Sequence, residues 1–168
     1  LNDRITVAAT YNLQGWLTNQ SGSVVNNFGF VEKEIFYEYL RYYAPKDSLS
    51  TPRYAGKISE QEWGRKLQFT GRDCFIYHYD LMGRLSSANH RITGLGQSTV
   101  GCYSEDFTYD LAGNIIAHNA EKDGVNRRLG YTYNGNHIAS VTHNDAAVGT
   151  AQYDSRGNIT KIPGENLQ

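Results

Sequence analysis

The sequence predicts an all-β protein, built as an antiparallel curved sheet of consecutive β-hairpins. Three observations favour this class: a turn motif that recurs along the chain, intervening segments rich in aromatic and β-branched residues, and a near absence of helical periodicity. Tyrosine alone occurs 13 times among the 168 residues, and tyrosine is enriched in strands, as the β-branched residues are. Pattern and composition therefore predict the same fold class.

The recurring motif is Tyr-Asp-x-x-Gly. Three copies are complete and begin at Tyr79, Tyr109 and Tyr153, one carries asparagine at the second position, and two are shortened. The residues that define all six copies are Tyr11, Gly15, Tyr54, Gly56, Tyr79, Asp80, Gly83, Tyr109, Asp110, Gly113, Tyr133, Asn134, Gly135, Tyr153, Asp154 and Gly157. Repetition at an irregular period is typical of repeated hairpins whose connecting stretches vary in length.

Each copy has the chemistry of a β-hairpin turn. Aromatic and β-branched residues lead into Tyr109, and Asp110 stands at the first turn position, where its carboxylate can accept a backbone N–H group. Gly113 supplies the positive φ that closes a type I turn with a bulge. Asn134-Gly135 is predicted to be a two-residue version of the hairpin turn.

The chain is predicted to form a single β-domain over residues 1–168, with irregular repeats in 1–75 and regular repeats in 76–163. Two stretches are predicted to be loops: 19–27, which is rich in Asn, Ser and Gly, and 44–53, which holds two of the three prolines. The segment from Glu34 to Tyr43 is ambiguous. Its alternating aromatic residues favour a long strand, and a helix is the alternative.

The composition limits the classes of partner. A net charge of -1 without clustered Lys and Arg gives no nucleic-acid-binding surface, and no apolar run of about 18 residues predicts a membrane span. We interpret Cys74 and Cys102 as free buried thiols, with a disulfide between them as the alternative. Both ends of the sequence look cut, so we expect the chain to be a piece of a larger protein.

No catalytic, metal-binding or cofactor-binding residue is predicted, and the chain is predicted not to be an enzyme. Asp80, Asp110 and Asp154 recur once per repeat at the start of a turn, so turn chemistry explains them better than acid–base catalysis. Glu60 and Glu62 share one strand face. We interpret that face as solvated, with a glycosidase-like pair as the alternative. The five histidines show no metal-ligand spacing.

The tyrosines allow two roles. Rings on neighbouring strands can pair across the sheet, which contributes about 0.2–1 kcal/mol per pair, and we favour this interpretation. Exposed rings can also stack on sugars, so a carbohydrate-binding or adhesion module is the alternative function. An enzyme with an unusual site is a further and weaker alternative, which a deep pocket with convergent polar groups would support.

The motif copies resemble the YD-repeat family, which is found in bacterial Rhs proteins, related insecticidal toxin subunits and animal teneurins. The resemblance covers nearly the whole chain, and the stretches 11–18 and 58–63 are especially similar to Rhs-type repeats of Bacteroides-like bacteria. It implies a long antiparallel β-ribbon that spirals into a hollow β-shell. In Rhs and toxin proteins such a shell encloses a C-terminal toxin, and in teneurins it belongs to an extracellular adhesion structure.

The resemblance implies that the chain is a non-catalytic structural segment of a large secreted or cell-surface protein. Its partners would be the remainder of its parent chain and an enclosed toxin domain, with carbohydrate as the alternative ligand. The family's self-cleaving segment carries an Asp-Pro signature that this sequence lacks, so the protease is not carried over. Because a shell segment has unpaired strand edges, we expect the isolated chain to self-associate as a homo-oligomer.

Overall fold

The computed structural model describes residues 4–26, 28–65, 72–94 and 97–161, and these form thirteen strands and no helix. The strands are β1 (Arg4–Tyr11), β2 (Leu17–Val25), β3 (Val31–Arg41), β4 (Glu60–Gly64), β5 (Arg72–Tyr79), β6 (Leu85–Gly94), β7 (Gln97–Tyr109), β8 (Ile115–Lys122), β9 (Val125–Asn134), β10 (His137–His143), β11 (Ala146–Thr150), β12 (Gln152–Tyr153) and β13 (Ile159–Lys161). Strands β1 to β11 follow sequence order in one sheet, and β12 pairs with β13. The all-β antiparallel prediction is confirmed.

In the part of the chain that the structure describes, no helix could cross a membrane.

The chain divides into two compact units. Unit 1 comprises Leu1–Arg84 and Ala88–Gly101, and unit 2 comprises Leu85–Ser87 and Cys102–Gln168. Strands β1 to β5 therefore belong to unit 1, and strands β8 to β13 belong to unit 2. The single domain expected from the sequence stays a prediction.

Unit 1 has a small core with a large polar share. Among the described residues, the buried apolar side chains are Val25, Tyr42, Cys74, Ile76 and Ala88, and the buried polar or charged ones are Ser50, Ser59, Glu60, Glu62 and His90. The core lies where β4 and β5 pair and where the loop over residues 42–59 contacts them. Since buried charges are costly without partners, much of this core must be held by hydrogen bonds and ion pairs.

The prediction of a loop over residues 19–27 is wrong for most of that stretch, because β2 runs through Leu17–Val25. Both edges of β2 are paired, one with β1 and the other with β3. Those ladders satisfy the backbone N–H and C=O groups whatever the polarity of the side chains. Gly22 is buried against the ring of Phe36, which a side chain at position 22 would strike. An aromatic ring across a strand glycine stabilises the pairing.

Two other predictions for unit 1 are confirmed. The ambiguous segment is a strand, since β3 covers Val31–Arg41. Residues 44–53 contain no strand and lie within the 42–59 loop. That loop is closed by backbone hydrogen bonds from Arg53 N to Tyr42 O at 2.6 Å and from Ser59 N to Arg41 O at 2.7 Å. These bonds explain how a proline-containing stretch keeps a defined path without strand pairing.

Unit 2 is held by strand pairing with little burial. Register is continuous between β8 and β9, and β9 and β10 pair with one bulge. None of the described residues of unit 2 is fully buried. Ring contacts add to the ladders: Phe107 stacks on His118 at 4.7 Å between centroids, and His137 stacks on Tyr153 at 4.3 Å. Backbone pairing and cross-strand rings therefore stabilise this unit more than a core does.

The two cysteines differ in environment, and neither forms a disulfide. Cys74 is buried on β5, and burial together with the nearby carboxylates raises the pKa of its thiol to about 12. Cys102 is exposed on β7, so the prediction of a buried thiol is wrong for that residue. Unit 2 buries none of its described residues, and Cys102 lies at the surface like its neighbour Tyr103.

Candidate functional site

The three complete motif copies form the same turn. In each, the aspartate carboxylate accepts a backbone N–H and a side-chain N–H from the residue four positions later. The N···O distances are 2.8 and 2.6 Å from Arg84 to Asp80, 2.8 and 2.9 Å from Asn114 to Asp110, and 2.9 and 2.9 Å from Asn158 to Asp154. Gly113 has a φ of 94°, as the type I turn with a bulge requires. The turn chemistry predicted for these aspartates is what the geometry shows.

The looser and shortened copies depart from this turn in different ways. Asn12 replaces the aspartate with its amide oxygen, which accepts the N–H of Trp16 at 2.9 Å. In the short copy, Asn134 pairs with His137, so Gly135 is the first of the two loop residues, one position later than predicted. Tyr54 is exposed in the 42–59 loop and stacks on Tyr43.

Three further turns were not predicted. Asn26 repeats the aspartate role by accepting the N–H groups of Phe28 and Phe30, each at 3.0 Å. Two tight turns have positive φ at both central residues: Asp123-Gly124, with 51° and 79°, and Asn144-Asp145, with 48° and 65°. The dipeptide Asp123-Gly124 is typical of such a tight turn. The spacing Asn-x-x-Gly from Asn26 to Gly29 indicates the first of the three turns.

A series of tyrosine hydroxyl bonds links five of the turns to a later strand end; we call it the tyrosine series. Each hydroxyl donates to the backbone carbonyl of an aliphatic residue that follows a turn glycine earlier in the chain. The five bonds run from Tyr42 to Leu17 (2.9 Å), Tyr79 to Ile58 (2.8 Å), Tyr109 to Leu85 (2.7 Å), Tyr133 to Ile115 (2.7 Å) and Tyr153 to Ile138 (3.3 Å). The first two bonds lie within unit 1 and the other three within unit 2. The motif does not identify Tyr42, because no glycine lies four residues beyond it.

The tyrosine series depends on hydroxyl groups that keep their protons. Burial is the largest influence on Tyr42, Tyr79 and Tyr133, and it raises the pKa of each phenol above its ordinary value. A phenol with a raised pKa stays a donor throughout the physiological range. The hydrogen bonds of these three tyrosines are therefore insensitive to pH changes near neutrality.

Two buried glutamates on β4 are held by an ion-pair cluster. Arg41, on the neighbouring strand β3, donates to Glu60 Oε1 and to Glu62 Oε2, both at 2.6 Å. The second oxygen of Glu60 accepts the backbone N–H groups of Lys46 and Asp47, each at 2.9 Å. Since every one of these contacts is to a carboxylate oxygen, both glutamates are satisfied as charged acceptors.

The prediction that Glu60 and Glu62 lie on a solvated strand face is wrong. They do share a face, but Glu60 is 1% and Glu62 3% exposed. The 42–59 loop covers Glu60, and Arg72 donates to the remaining oxygen of Glu62 at 3.0 Å. The oxygens that a glycosidase-like pair would use are thus occupied by structural partners.

The other face of β3, β4 and β5 carries an open groove with a volume of about 620 Å³. We call it the aromatic groove; its principal lining residues are Tyr37, Glu38, Gln61, Trp63, Phe75 and Tyr77. Centroid distances are 5.5 Å for Trp63–Phe75 and 6.0 Å for Phe75–Tyr77. Gln61 bridges two polar groups, donating to Glu38 Oε1 at 2.6 Å and accepting from the Tyr77 hydroxyl at 2.5 Å.

The motif aspartates are not brought together, because each is bound within its own turn. His90 is buried with Nε2 at 3.0 Å from Asp73 Oδ1. Over residues 4–26, 28–65, 72–94 and 97–161, no group of three or more histidine, cysteine, aspartate or glutamate side chains is placed to hold a metal ion. The expectations of no metal, no cofactor and no catalysis stay predictions.

Comparison of the sequence with protein-family models finds no match, and comparison with curated proteins finds none either. The similarity to YD repeats therefore rests on the motif copies themselves.

Replacing Gly113 with alanine is expected to lower the free energy of unfolding by about 1–2 kcal/mol, because an L-residue with a side chain is strained at positive φ. No atom lies within 4 Å of the Cβ that alanine would add, so the loss reflects the backbone alone. Urea denaturation measures it. The free energy of unfolding should fall less in Gly113→Asn than in Gly113→Ala, because asparagine tolerates a positive φ. An alanine variant as stable as the parent would contradict the turn assignment.

Acid is expected to weaken the motif turns. Donation from the Asn114 side chain, and then from its backbone N–H, holds the pKa of Asp110 below its ordinary value. A lowered pKa stabilises the fold above the carboxyl's ordinary pKa of about 4, and that contribution is lost as pH falls through the folded value. The urea midpoint of Asp110→Asn should therefore fall less between pH 5 and pH 2 than that of the parent. If the urea midpoints of the parent and of Asp110→Asn fell equally between pH 5 and pH 2, the Asp110 carboxylate would not stabilise the turn.

Proposed function

We propose that the chain is a non-catalytic structural segment of the YD-repeat type, one stretch of the β-shell of a larger Rhs-like protein. The observation that carries the proposal is the tyrosine series. Motif tyrosines tie successive hairpins to one another through backbone carbonyls. The recurring residues are therefore used for assembly of the sheet, which is what a structural repeat requires.

Two further features support a structural role over catalysis. The motif carboxylates accept hydrogen bonds within their own turns, as Asp110 does from Asn114. Glu60 and Glu62 form ion pairs with Arg41. In unit 2 the sheet leaves none of its described residues fully buried. A sheet with two accessible faces suits the wall of a shell, because it can face solvent on one side and an enclosed chain on the other.

The proposal includes the setting that the YD-repeat resemblance implies. The parent protein would be secreted or displayed at the cell surface, and the shell would enclose a C-terminal toxin. The parent gene tests this directly: its reading frame should continue through further Tyr-Asp-x-x-Gly copies into a toxin-like domain. A reading frame that stops without either would contradict the shell.

The Tyr109→Phe variant tests the tyrosine series itself. Removing the hydroxyl leaves the Leu85 carbonyl without this donor, and the free energy of unfolding should fall by about 0.5–1.5 kcal/mol. Tyr54→Phe is the matched control, because Tyr54 is exposed and lies outside the series. Chemical denaturation measures both variants. Equal stability of Tyr109→Phe and Tyr54→Phe would remove the support for a structural repeat.

The aromatic groove favours a second candidate function, carbohydrate binding. Trp63, Phe75 and Tyr77 offer apolar ring surface beside the acceptor and donor groups of Glu38 and Gln61, a combination that suits sugar recognition. A glycan array identifies any ligand, and Trp63→Ala should abolish the signal while Trp16→Phe retains it. A blank array with folded protein would remove this candidate.

A further inference from the structure

The aromatic groove has an acidic residue on each side of Trp63. The strand register places Glu38 on β3 directly opposite Trp63 on β4, and Trp63 directly opposite Asp73 on β5. Directly opposite residues of neighbouring strands project from the same face of the sheet, and all three of these residues line the groove. Because neighbouring strands lie about 4.8 Å apart, each acidic residue stands one strand away from the tryptophan.

Each flanking carboxylate keeps one oxygen without a donor among the described residues. Glu38 Oε1 accepts the Gln61 side-chain amide at 2.6 Å, and Asp73 Oδ1 lies 3.0 Å from His90 Nε2. The second oxygen of each carboxylate is left for a ligand. Glu38 is half-buried and the Asp73 side chain is 42% exposed, so a cation that enters the groove meets both charges with less screening than at an open surface.

The ring of Trp63 is only partly covered by its neighbours. Its plane is 22° from that of Phe75 and 27° from that of His90, and the centroids are 5.5 and 5.8 Å apart. These are distances of laterally offset rings rather than of rings in full face-to-face contact. Trp63 is accordingly half-buried. Among the aromatic side chains, tryptophan attracts a cation most strongly, so an indole between two carboxylates suits a cationic ligand.

We propose that the aromatic groove binds the guanidinium group of an arginine side chain from a partner polypeptide, with the cation stacked on Trp63 between Glu38 and Asp73. A guanidinium is planar, so it can lie on the indole while its N–H groups point outward to both carboxylates. An ammonium is a compact point charge. Two of its hydrogen bonds, at about 2.8 Å each, span less than the roughly 9–10 Å of two strand spacings, so it pairs with one carboxylate at a time.

The groove is larger than a guanidinium alone requires. Its volume is about 620 Å³, and its ring surface continues from Trp63 over Phe75 to Tyr77. The apolar stem of an arginine and a neighbouring apolar residue can cover those rings, and arginine is among the residues that contribute most at protein interfaces. The occupant is therefore a polypeptide rather than a free small guanidinium. A neutral sugar could stack on the same rings but brings no charge for the carboxylates.

One cation among the described lining residues opposes this ligand. Arg65 follows β4 directly and is exposed, so water and salt screen its charge. Glu38 and Asp73 outnumber it, which gives the described lining a net charge of -1 from two carboxylates and one guanidinium. Arg65→Gln is therefore expected to bind an arginine ligand about two-fold more tightly than the parent does.

Titration of the full chain with capped leucine-arginine-leucine peptide tests the proposal, with chemical shifts of the protein as the readout at constant ionic strength. The matched ligand carries citrulline, which has the shape of arginine without its charge, and should bind about ten-fold more weakly. Trp63→Leu should weaken binding of the arginine peptide about five-fold. Glu38→Gln should weaken it about three-fold, although its amide keeps an oxygen for Gln61. Glu121→Gln removes the same charge from an exposed position in unit 2 and should bind as the parent does.

Equal affinity for the arginine and citrulline peptides would overturn the proposal, and so would parent-like binding by Glu38→Gln or weaker binding by Arg65→Gln. Arginine amide that bound as tightly as the peptide would overturn the assignment to a polypeptide. Binding of a neutral sugar without binding of the arginine peptide would remove this inference and leave the carbohydrate candidate. The inference goes beyond the proposed repeat function and does not rest on it, since the stability test on Tyr109 judges that function separately.

Discussion

Replacing Arg41 with methionine is expected to lower the free energy of unfolding by about 3–5 kcal/mol, because it leaves two buried carboxylates without their principal cation. Arg41 donates to Glu60 and Glu62 at 2.6 Å, and its own side chain is 11% exposed. Methionine keeps most of the apolar part of the arginine side chain. The decrease in the free energy of unfolding therefore comes from the missing charge rather than from lost packing. Urea denaturation followed by tryptophan fluorescence measures it, since both tryptophans lie in unit 1.

Lys46→Met is the matched control. Lys46 also approaches Glu62, with its Nζ 3.7 Å from Oε2, but its side chain is 61% exposed. An exposed pair contributes about 0–1 kcal/mol, so this variant should unfold almost as the parent does. If Arg41→Met and Lys46→Met had the same effect, the cluster would not be the buried support that the contacts indicate.

A compensated variant keeps the test decisive if Arg41→Met does not fold. In Arg41→Met with Glu60→Gln and Glu62→Gln, the uncompensated charges are removed together with their partner. The amide that replaces the Glu60 carboxylate retains an oxygen for the backbone N–H groups of Lys46 and Asp47. Folding should be recovered, because replacing all members of a buried ion pair costs far less than removing one of them.

Replacing Ile76 with alanine is expected to cost about 2–5 kcal/mol, through lost burial and the cavity left behind. Ile76 is 1% exposed and lies on β5 opposite Glu60, so its side chain packs at the centre of the small core. Few of the described residues of this core are apolar, so one truncation removes a large share of the apolar area that they bury. Thermal or urea denaturation of unit 1 measures the effect.

Two controls separate burial from side-chain chemistry. Leu81→Ala removes a comparable side chain from a turn position that is 108% exposed, and it should change stability by less than about 0.5 kcal/mol. Ile76→Val removes one methylene and should cost about 0.5–1.5 kcal/mol. Ile76→Ala no worse than Leu81→Ala would show that the core is not centred on β4 and β5.

The local structure was predictable because the turn chemistry is contained within a few residues. Asp110 and Gly113 are three positions apart, and the carboxylate bonds and the positive φ both arise within a turn of five residues. The same holds for the alternation that identified β3 as a strand. Turns lacking the full motif, such as those at Asn26 and Asn144, carried weaker signals and were missed.

The sequence by itself determined the fold class, the complete motif turns and the position of β3, because those depend on dihedral preferences and side-chain period over short distances. Only the tertiary structure decided that β2 is a strand, that Glu60 and Glu62 are buried, and that Tyr42 joins the tyrosine series. Each of these depends on a partner far along the chain: Phe36 on β3, Arg41 with the 42–59 loop, and the Leu17 carbonyl. Strand pairing satisfies backbone groups whatever the side chains are, so polar strands and buried charges become recognisable only once their neighbours are in place.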